Sequence, residues 1–325
     1  MTIGKEKGVA LITVLFVVAV ATLLGSQLFR ATRDNLERTQ WLVTDAQAYQ
    51  YALGGEQMAR QLLFLEWERL RENGLNLSPR PFTRVYEPHA GRILIDLVDN
   101  QGLVNLNNAA GNKLSRQLLD NFLTNVLALP DAGPRLADWV DGDQQPRPGG
   151  AEDYDYLDRE PPYRAADQRL AHASEMLAVV DMEPEAYAAI LPHLTAIPQS
   201  TPLNINSAPP ELIGILVPGI SSAQFDAARS RRENGFTTIQ QFLRSDTVAG
   251  LGIEPAAVTV NSSYYEARTL ATFAGRALRL HSRFHLNRTT GQITLLGRDF
   301  PAHWPESGTP TENIEDPSDH DLAFP

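Results

Sequence analysis

The sequence predicts an α+β fold in which one long N-terminal helix packs on an antiparallel sheet and a large, mostly helical domain is inserted into that sheet. Residues 1–73 contain no proline and consist largely of good helix formers. Strand-like runs occupy 82–98 and return only at 257–297, separated by about 150 residues with short helical patterns. Strands of one small sheet that lie so far apart in the chain indicate an insertion.

The first 29 residues predict a membrane-spanning helix. A short basic segment ends at Gly8, and Val9 to Phe29 then runs 21 residues without a charge, enough to cross a bilayer at about 1.5 Å per residue. There is no clean small-residue cleavage site after this apolar run, as an ordinary signal peptide would have. A cut after Gly8 would leave the apolar helix on the mature protein. The alternative is a plain N-terminal anchor, and because Arg30 and Arg33 balance the basic leader, charge leaves the orientation open.

The helix is predicted to continue beyond the membrane to Asn73, where Gly74 stops it. From Val9 it would then run roughly 95 Å. Apolar residues recur at three- to five-residue steps and form a stripe that would pack on the sheet, namely Leu42, Ala46, Tyr49, Leu53, Met58, Leu62 and Leu65. Two helices hinged at Gly25 or at Gly54–Gly55 are the alternative.

Strands and short helices complete the prediction. The strands are Phe82–Tyr86, Arg92–Val98, Ala257–Ala267, Phe273–Leu286 and Gln292–Gly297. The helices of the insertion are Lys113–Leu129, Pro134–Val140, Ala173–Val180, Glu185–Leu191, Pro210–Leu216, Ser222–Glu233 and Ile239–Leu243. The chain is therefore divided into a leader (1–8), a membrane segment (9–29), the rest of the helix and first strands (30–109), the insertion (110–255), the returning strands (256–300) and an acidic tail (301–325).

Composition excludes several functions. The net charge is −11, with 28 Lys and Arg against 39 Asp and Glu, which argues against a general nucleic-acid binder. Cysteine is absent, so there is no disulfide. The histidines are scattered, and no nucleophile elbow or HExxH motif occurs. The chain is therefore not expected to be an enzyme, and a membrane-anchored hydrolase is disfavoured. The tail has six acids and no Lys or Arg, a composition typical of disorder.

An acidic tract in the insertion is the strongest candidate for a metal site. Its eight acids are Asp138, Asp141, Asp143, Glu152, Asp153, Asp155, Asp158 and Glu160. Clustered carboxylates on a Pro- and Gly-rich loop suit a hard cation such as calcium, which takes six to eight oxygens in irregular geometry. The favoured ligands are Asp141, Asp143, Glu152, Asp153 and Asp155. From the residues alone, a solvated acidic loop is equally compatible.

A second motif raises an alternative function. Leu203-Asn-Ile-Asn-Ser-Ala208, the hairpin Gly219-Ile220-Ser221 and the arginines that follow, within 203–243, are similar to a helix-hairpin-helix of DNA-uptake receptors. In DNA-binding forms the hairpin offers backbone N–H groups to phosphate. Here Ser221 replaces the second glycine and the chain is acidic, so a packing motif is favoured over a membrane-tethered DNA-binding protein. The x-N-x-N-x-A frame, also present at Val104–Ala109, is interpreted as a helix-capping device.

The N-terminus resembles a type IV pilin-like class III signal, with a basic leader, a terminal Gly8 and an apolar helix. Most such proteins carry Glu at the fifth mature position, which is Thr13 when the mature chain starts at Val9. With the Val104–Ala109 frame and the acidic tract, this departure makes the chain similar to the minor pseudopilin K family of type II secretion systems.

The resemblance implies a pilin-like fold, cleavage between Gly8 and Val9 by a prepilin peptidase, and a single-pass inner-membrane subunit with its body in the periplasm. It also implies calcium binding and a position at the tip of the pseudopilus, where the subunit would support initiation of assembly and export of folded periplasmic proteins. The implied partners are the minor pseudopilins I and J, with H as a further candidate, the pseudopilus and the inner-membrane assembly platform. No nucleic acid is expected.

Overall fold

The structure, a computed structural model, describes residues 6–179, 184–216, 220–230, 235–251 and 253–301. The first leader residues, the hairpin Gly219 and the tail beyond Pro301 lie outside the described residues. The helices are α1 Glu6–Glu72, α2 Lys113–Leu127, α3 Ala132–Val140, α4 Asp153–Leu157, α5 Met176–Val179, α6 Pro184–Ile190, α7 Pro210–Leu216, α8 Ser222–Ser230 and α9 Ile239–Leu243. The strands are β1 Phe82–Tyr86, β2 Gly91–Asp99, β3 Val104–Asn105, β4 Leu194–Thr195, β5 Leu203–Asn204, β6 Val258–Thr259, β7 Tyr264–Phe273, β8 Arg276–Leu286 and β9 Ile293–Asp299.

The predicted fold class is confirmed. The five-stranded antiparallel sheet has the order β1-β2-β7-β8-β9, so β2 pairs with a strand that begins more than 160 residues later. The long helix α1 packs on one face of this sheet, and the segment between β2 and β7 forms the mostly helical insertion.

Helix α1 is continuous over 67 residues, without a hinge at Gly25 or at Gly54–Gly55. It contains an 18-residue window with a mean hydropathy of 2.3, none of which is buried. This single helix is long and apolar enough to cross a membrane.

The predicted strand at Ala257–Ala267 was wrong in position. Only Val258–Thr259 of its first half is extended and paired, and the sheet strand begins at Tyr264 and continues to Phe273. The strand turns at Ala274 and Gly275, both of which have positive φ. Because Ala–Gly is a weak turn signal next to two β-rich runs, the sequence did not reveal this hairpin.

The core between helix and sheet combines small residues on α1 with large residues on the strands. Ala52 and Ala59 are fully buried, and so are Ile95, Leu97 and Tyr265 on the sheet. Small residues at these positions let the helix backbone approach the strands closely. The predicted apolar stripe was wrong for four of its members, because the helix packs through this small-residue side instead and leaves them exposed, namely Leu42, Ala46, Tyr49 and Leu65.

A buried ion pair fixes α1 against the edge of the sheet. Glu56 is 2% exposed and accepts hydrogen bonds from both Nε and Nη2 of Arg298 on β9, and from Ser282 Oγ on β8. Burial alone would raise the pKa of Glu56. The hydrogen bonds and positive charge of Arg298, together with the bond from Ser282, more than offset this effect, so the pKa of Glu56 lies below its ordinary value. A two-pronged Arg–carboxylate pair of this kind sets orientation as well as distance.

The insertion is attached to the sheet through one buried carboxylate at the end of β2. One oxygen of Asp99 accepts from Gln101 N, and the other accepts from Asn204, Ser207 and Ser262. These donors come from the start of the insertion, its middle and the loop that leads back into β7. The attachment therefore lies at the end of the sheet near the C-terminus of α1, since Ser262 also bonds Ser78 in the loop that follows the helix.

The two x-N-x-N-x-A frames do more than cap helices. Asn105 does cap the short 3₁₀ turn Leu106–Ala110 through Asn107 N. The second asparagine of each frame, however, pairs its amide with both the N–H and the C=O of one distant residue, Leu170 for Asn107 and Phe236 for Asn206. Each frame thus ties a short parallel strand pair to a following segment of the insertion.

We predict that Gly55→Ala lowers the free energy of unfolding by about 1–3 kcal/mol, as overpacking of a core does. A Cβ at Gly55 would lie 2.5 Å from Thr269 Cγ2 and 2.9 Å from Ile93 Cγ2. Gly54→Ala is the matched control, since a Cβ there meets nothing within 4 Å, and we expect it to stabilise the helix by about 0.5–1 kcal/mol. Urea unfolding of the two variants measures both effects. Equal stability of the two would contradict the packing described for α1.

Candidate metal site

Three carboxylates of the acidic tract converge in the structure. Ligand oxygens of Asp141, Asp143 and Glu152 all lie within 4.8 Å of one another. Asp143 is exposed, Asp141 is partly buried and Glu152 is 4% exposed. The cluster therefore opens to solvent on one side and is closed by the protein on the other.

The end of α3 and the following loop position these side chains. The helix ends at Val140, and Asp141 caps its C-terminus. Gly150 N bonds Arg147 O in a tight turn, and a Cβ at Gly150 would lie 1.8 Å from Asp138 Oδ2. The loop thus folds back over Asp138 and brings its second arm, which carries Glu152, beside Asp141.

Several oxygens of the cluster have no hydrogen-bond donor. Both carboxylate oxygens of Glu152 and Oδ1 of Asp141 are buried without a hydrogen-bond partner among the described residues. Burial, and then the neighbouring carboxylates of the tract, raise the pKa of Glu152 to about 7. Unpaired buried carboxylate oxygens are costly, so the arrangement favours a bound cation.

The donor set fits a hard metal ion. Asp141 offers Oδ1, because its Oδ2 accepts from Arg147, and Asp143 has one oxygen bonded to Gln145 N and the other available. Glu152 offers both oxygens. Carboxylate oxygens of this kind are the ligands of hard divalent cations, and the cluster can therefore hold a metal ion.

Two of the five favoured ligands lie outside this cluster. Asp153 accepts from Ala165 N and from Arg164, and Asp155 accepts from Glu152 N at the start of α4. The sequence predicted a loop here, and the five-residue helix α4 was missed because the prolines and glycines before it dominated the pattern. These two carboxylates therefore form hydrogen bonds that stabilise the loop and the start of α4.

The structure adds two residues that sequence reasoning did not assign to the site. Asp138 is fully buried on α3 and faces Arg147, which bonds it through both side chain and backbone. Asp138 and Asp141 are three residues apart, which places them on one side of the end of α3. This spacing could have predicted that Asp138 lies beside the site. The partner Arg147 was not predictable, because its approach depends on the folded loop.

The residues of the proposed leader cleavage lie within α1. The helix begins at Glu6, so Gly8, Val9 and Thr13 are all part of its first turns, and the Thr13 side chain is exposed.

Beyond the apolar window, α1 has a second exposed face. Leu36, Val43, Gly54 and Leu65 are spaced by whole numbers of turns, seven, eleven and eleven residues apart. The three large side chains are 47–59% exposed, and a Cβ at Gly54 would meet nothing within 4 Å. We call these four residues the stem face.

The described parts of the helix-hairpin-helix segments are engaged within the protein. Arg229 donates to Ala208 O and to Asp226, so its guanidinium is already bonded.

Comparison with known proteins places these features in one family. A family model described as type II secretion system (T2SS), protein K, matches residues 94–199. The type II secretion system protein K of Pseudomonas aeruginosa is 30% identical over 320 residues, which cover 91% of this chain and 93% of that protein. The type II secretion system protein K of Klebsiella pneumoniae is 26% identical over 324 residues, with 92% and 98% covered.

A solved structure shares the fold. One chain in the crystal structure of the GspK–GspI–GspJ complex from the type 2 secretion system of enterotoxigenic Escherichia coli matches with a TM-score of 0.71 and 23% identity. The match covers 82% of this chain and 100% of that chain.

Proposed function

Because the chain belongs to the type II secretion system protein K family, whose members are structural pseudopilins rather than enzymes, we propose that it is the tip subunit of the pseudopilus. In this position it supports initiation of pseudopilus assembly and export of folded periplasmic proteins. It sits in the bacterial inner membrane by one helix, with its body in the periplasm, until it is assembled.

The observation that carries the proposal is the exposed first half of α1. Its apolar window has no cover from the described part of this chain, and the stem face continues the exposed apolar surface above it. A surface of this size needs lipid or other helices around it. Anchor and assembly stem are therefore two uses of the same helix.

The position of the insertion favours the tip over the shaft. The insertion leaves the sheet near the C-terminus of α1, at the end opposite the apolar window. A bulky domain at that end leaves no room for a further subunit above it. The presence of Thr13, where most pilin-like proteins carry Glu, agrees with a tip position. That Glu would pair with the N-terminal ammonium of a neighbouring subunit above. A tip subunit has no such neighbour, and an unpaired buried carboxylate would be costly.

We extend to this chain the partners of the protein that shares its fold, which is found in complex with GspI and GspJ. The stem face supplies a suitable surface, because Gly54 allows close approach of a second helix while Leu36, Val43 and Leu65 provide apolar contact. Component H, the prepilin peptidase that cuts between Gly8 and Val9, and the assembly platform belong to the same proposal.

We predict that Leu36→Glu weakens association with components I and J. A charge on the stem face would be buried without a partner in a helix–helix interface and should weaken the complex at least about tenfold. Co-purification of the full chain with both components from detergent-solubilised membranes measures the loss. Asn35→Glu is the matched control, since the neighbouring position lies 100° around the helix. Equal recovery of the two variants would overturn the stem face as the interface.

The metal ion proposed for the Asp141, Asp143 and Glu152 cluster is calcium. One monodentate oxygen from each Asp and two from Glu152 give four protein oxygens, and calcium completes such a set with water or carbonyl ligands in irregular geometry. Magnesium demands near-ideal octahedral geometry, which a bidentate Glu152 opposes. When bound, the ion neutralises the carboxylates and joins the two arms of the loop.

We predict that calcium raises the melting temperature of the protein and that Asp141→Asn or Glu152→Gln removes this rise. At a calcium concentration 100 times the Kd, binding to the folded state alone contributes about 2.7 kcal/mol. Asp158→Asn, an exposed acid of the same tract outside the cluster, is the control and should retain the rise. Identical melting curves of the natural protein in calcium and in chelator would end the calcium proposal.

A further inference from the structure

Arg147 occupies a particular place beside the carboxylate cluster. Its Nη1 donates to Oδ1 of Asp138 and to Oδ2 of Asp141, and its backbone N donates to Oδ2 of Asp138 at 3.0 Å. The side chain is 37% exposed, whereas that of Asp138 is fully buried. One arginine therefore joins the end of α3 to the loop that folds over it.

This contact fixes the orientation of Asp141. Rotation of the carboxylate would break the bond from Arg147 to Oδ2, and in the bonded orientation Oδ1 lies among the ligand atoms of Asp143 and Glu152. Arg147 thus engages the oxygen that the cluster does not use.

The contact also fixes the loop. The turn that Arg147 begins brings Gly150 against the buried carboxylate of Asp138, and only one residue separates Gly150 from Glu152. Without the guanidinium, Asp138 would be a buried carboxylate with one backbone donor, a state that proteins avoid. The segment would then open, and Glu152 would move away from Asp141.

We propose that Arg147 is the positioning residue of the metal site, which holds the loop closed and Asp141 oriented before any cation binds. This inference rests on the proposed calcium function and adds the residue that pre-organises the site. Residues that orient metal ligands typically change affinity 10- to 100-fold when they are lost.

The test uses the full chain in detergent, with calcium chloride titrated calorimetrically and amide hydrogen exchange of residues 138–155 measured in chelator. For Arg147→Ala we expect a 10- to 100-fold weaker Kd and faster exchange of the loop in chelator, with protection restored at saturating calcium. Arg147→Lys keeps one charge and one contact, so it should fall between the two proteins and serves in place of Arg147→Ala if that variant does not fold. Arg164→Ala is the matched control, because the bond that Arg164 makes within the described part of the chain is to Asp153, outside the cluster, at 3.2 Å, and its side chain is 74% exposed.

Calcium binding by Arg147→Ala as tight as that of the natural protein, or tighter, would overturn the proposal, since Arg147 would then be neutral or a competitor of the cation. Unchanged exchange in chelator would overturn it as well. If the natural protein bound no calcium, the calcium function would fail, and the exchange measurement in chelator would still decide whether Arg147 closes the loop.

Discussion

The mismatch in length between α1 and its sheet is the constraint on which the rest of the structure depends. The helix has 67 residues and spans about 100 Å, whereas the longest sheet strand, β8, has 11 residues and covers about 35 Å. The sheet can therefore bury only the part of the helix between Ala48 and Leu70. The described part of the chain leaves the apolar remainder uncovered, and we propose that lipid covers it while the subunit is in the membrane and that neighbouring helices cover it after assembly.

The insertion depends on a few buried polar contacts. Asp99 gathers donors from three separate passes of the chain, and Asn107 and Asn206 fasten distant segments through their side-chain amides. Buried networks with all partners present are rigid and specific, because each unpaired member would be costly. By contrast, the oxygens of Glu152 and Asp141 have no donor among the described residues, and they lie together with Asp143 in one cluster that can hold a cation.

The sequence was sufficient to predict those parts of the fold that depend on local composition and on the spacing of apolar residues. The long helix, the insertion and the acidic tract follow from residues near one another in the chain. The hairpin at Ala274–Gly275 and the helix α4 were missed because their local signals are weak or masked by neighbours. Of the five favoured ligands, the structure brings three together. Which of the five carboxylates come together depends on how the loop folds over Asp138, and no local sequence pattern encodes that contact.

The central claim is that one apolar helix is retained on the mature protein and serves first as anchor and then as stem. N-terminal sequencing of the mature protein, purified from membranes of cells that contain the secretion system, tests it most directly. A start at Val9, with the whole apolar segment still attached, is the result that the account predicts. An intact Met1, or a start beyond residue 25, would contradict it.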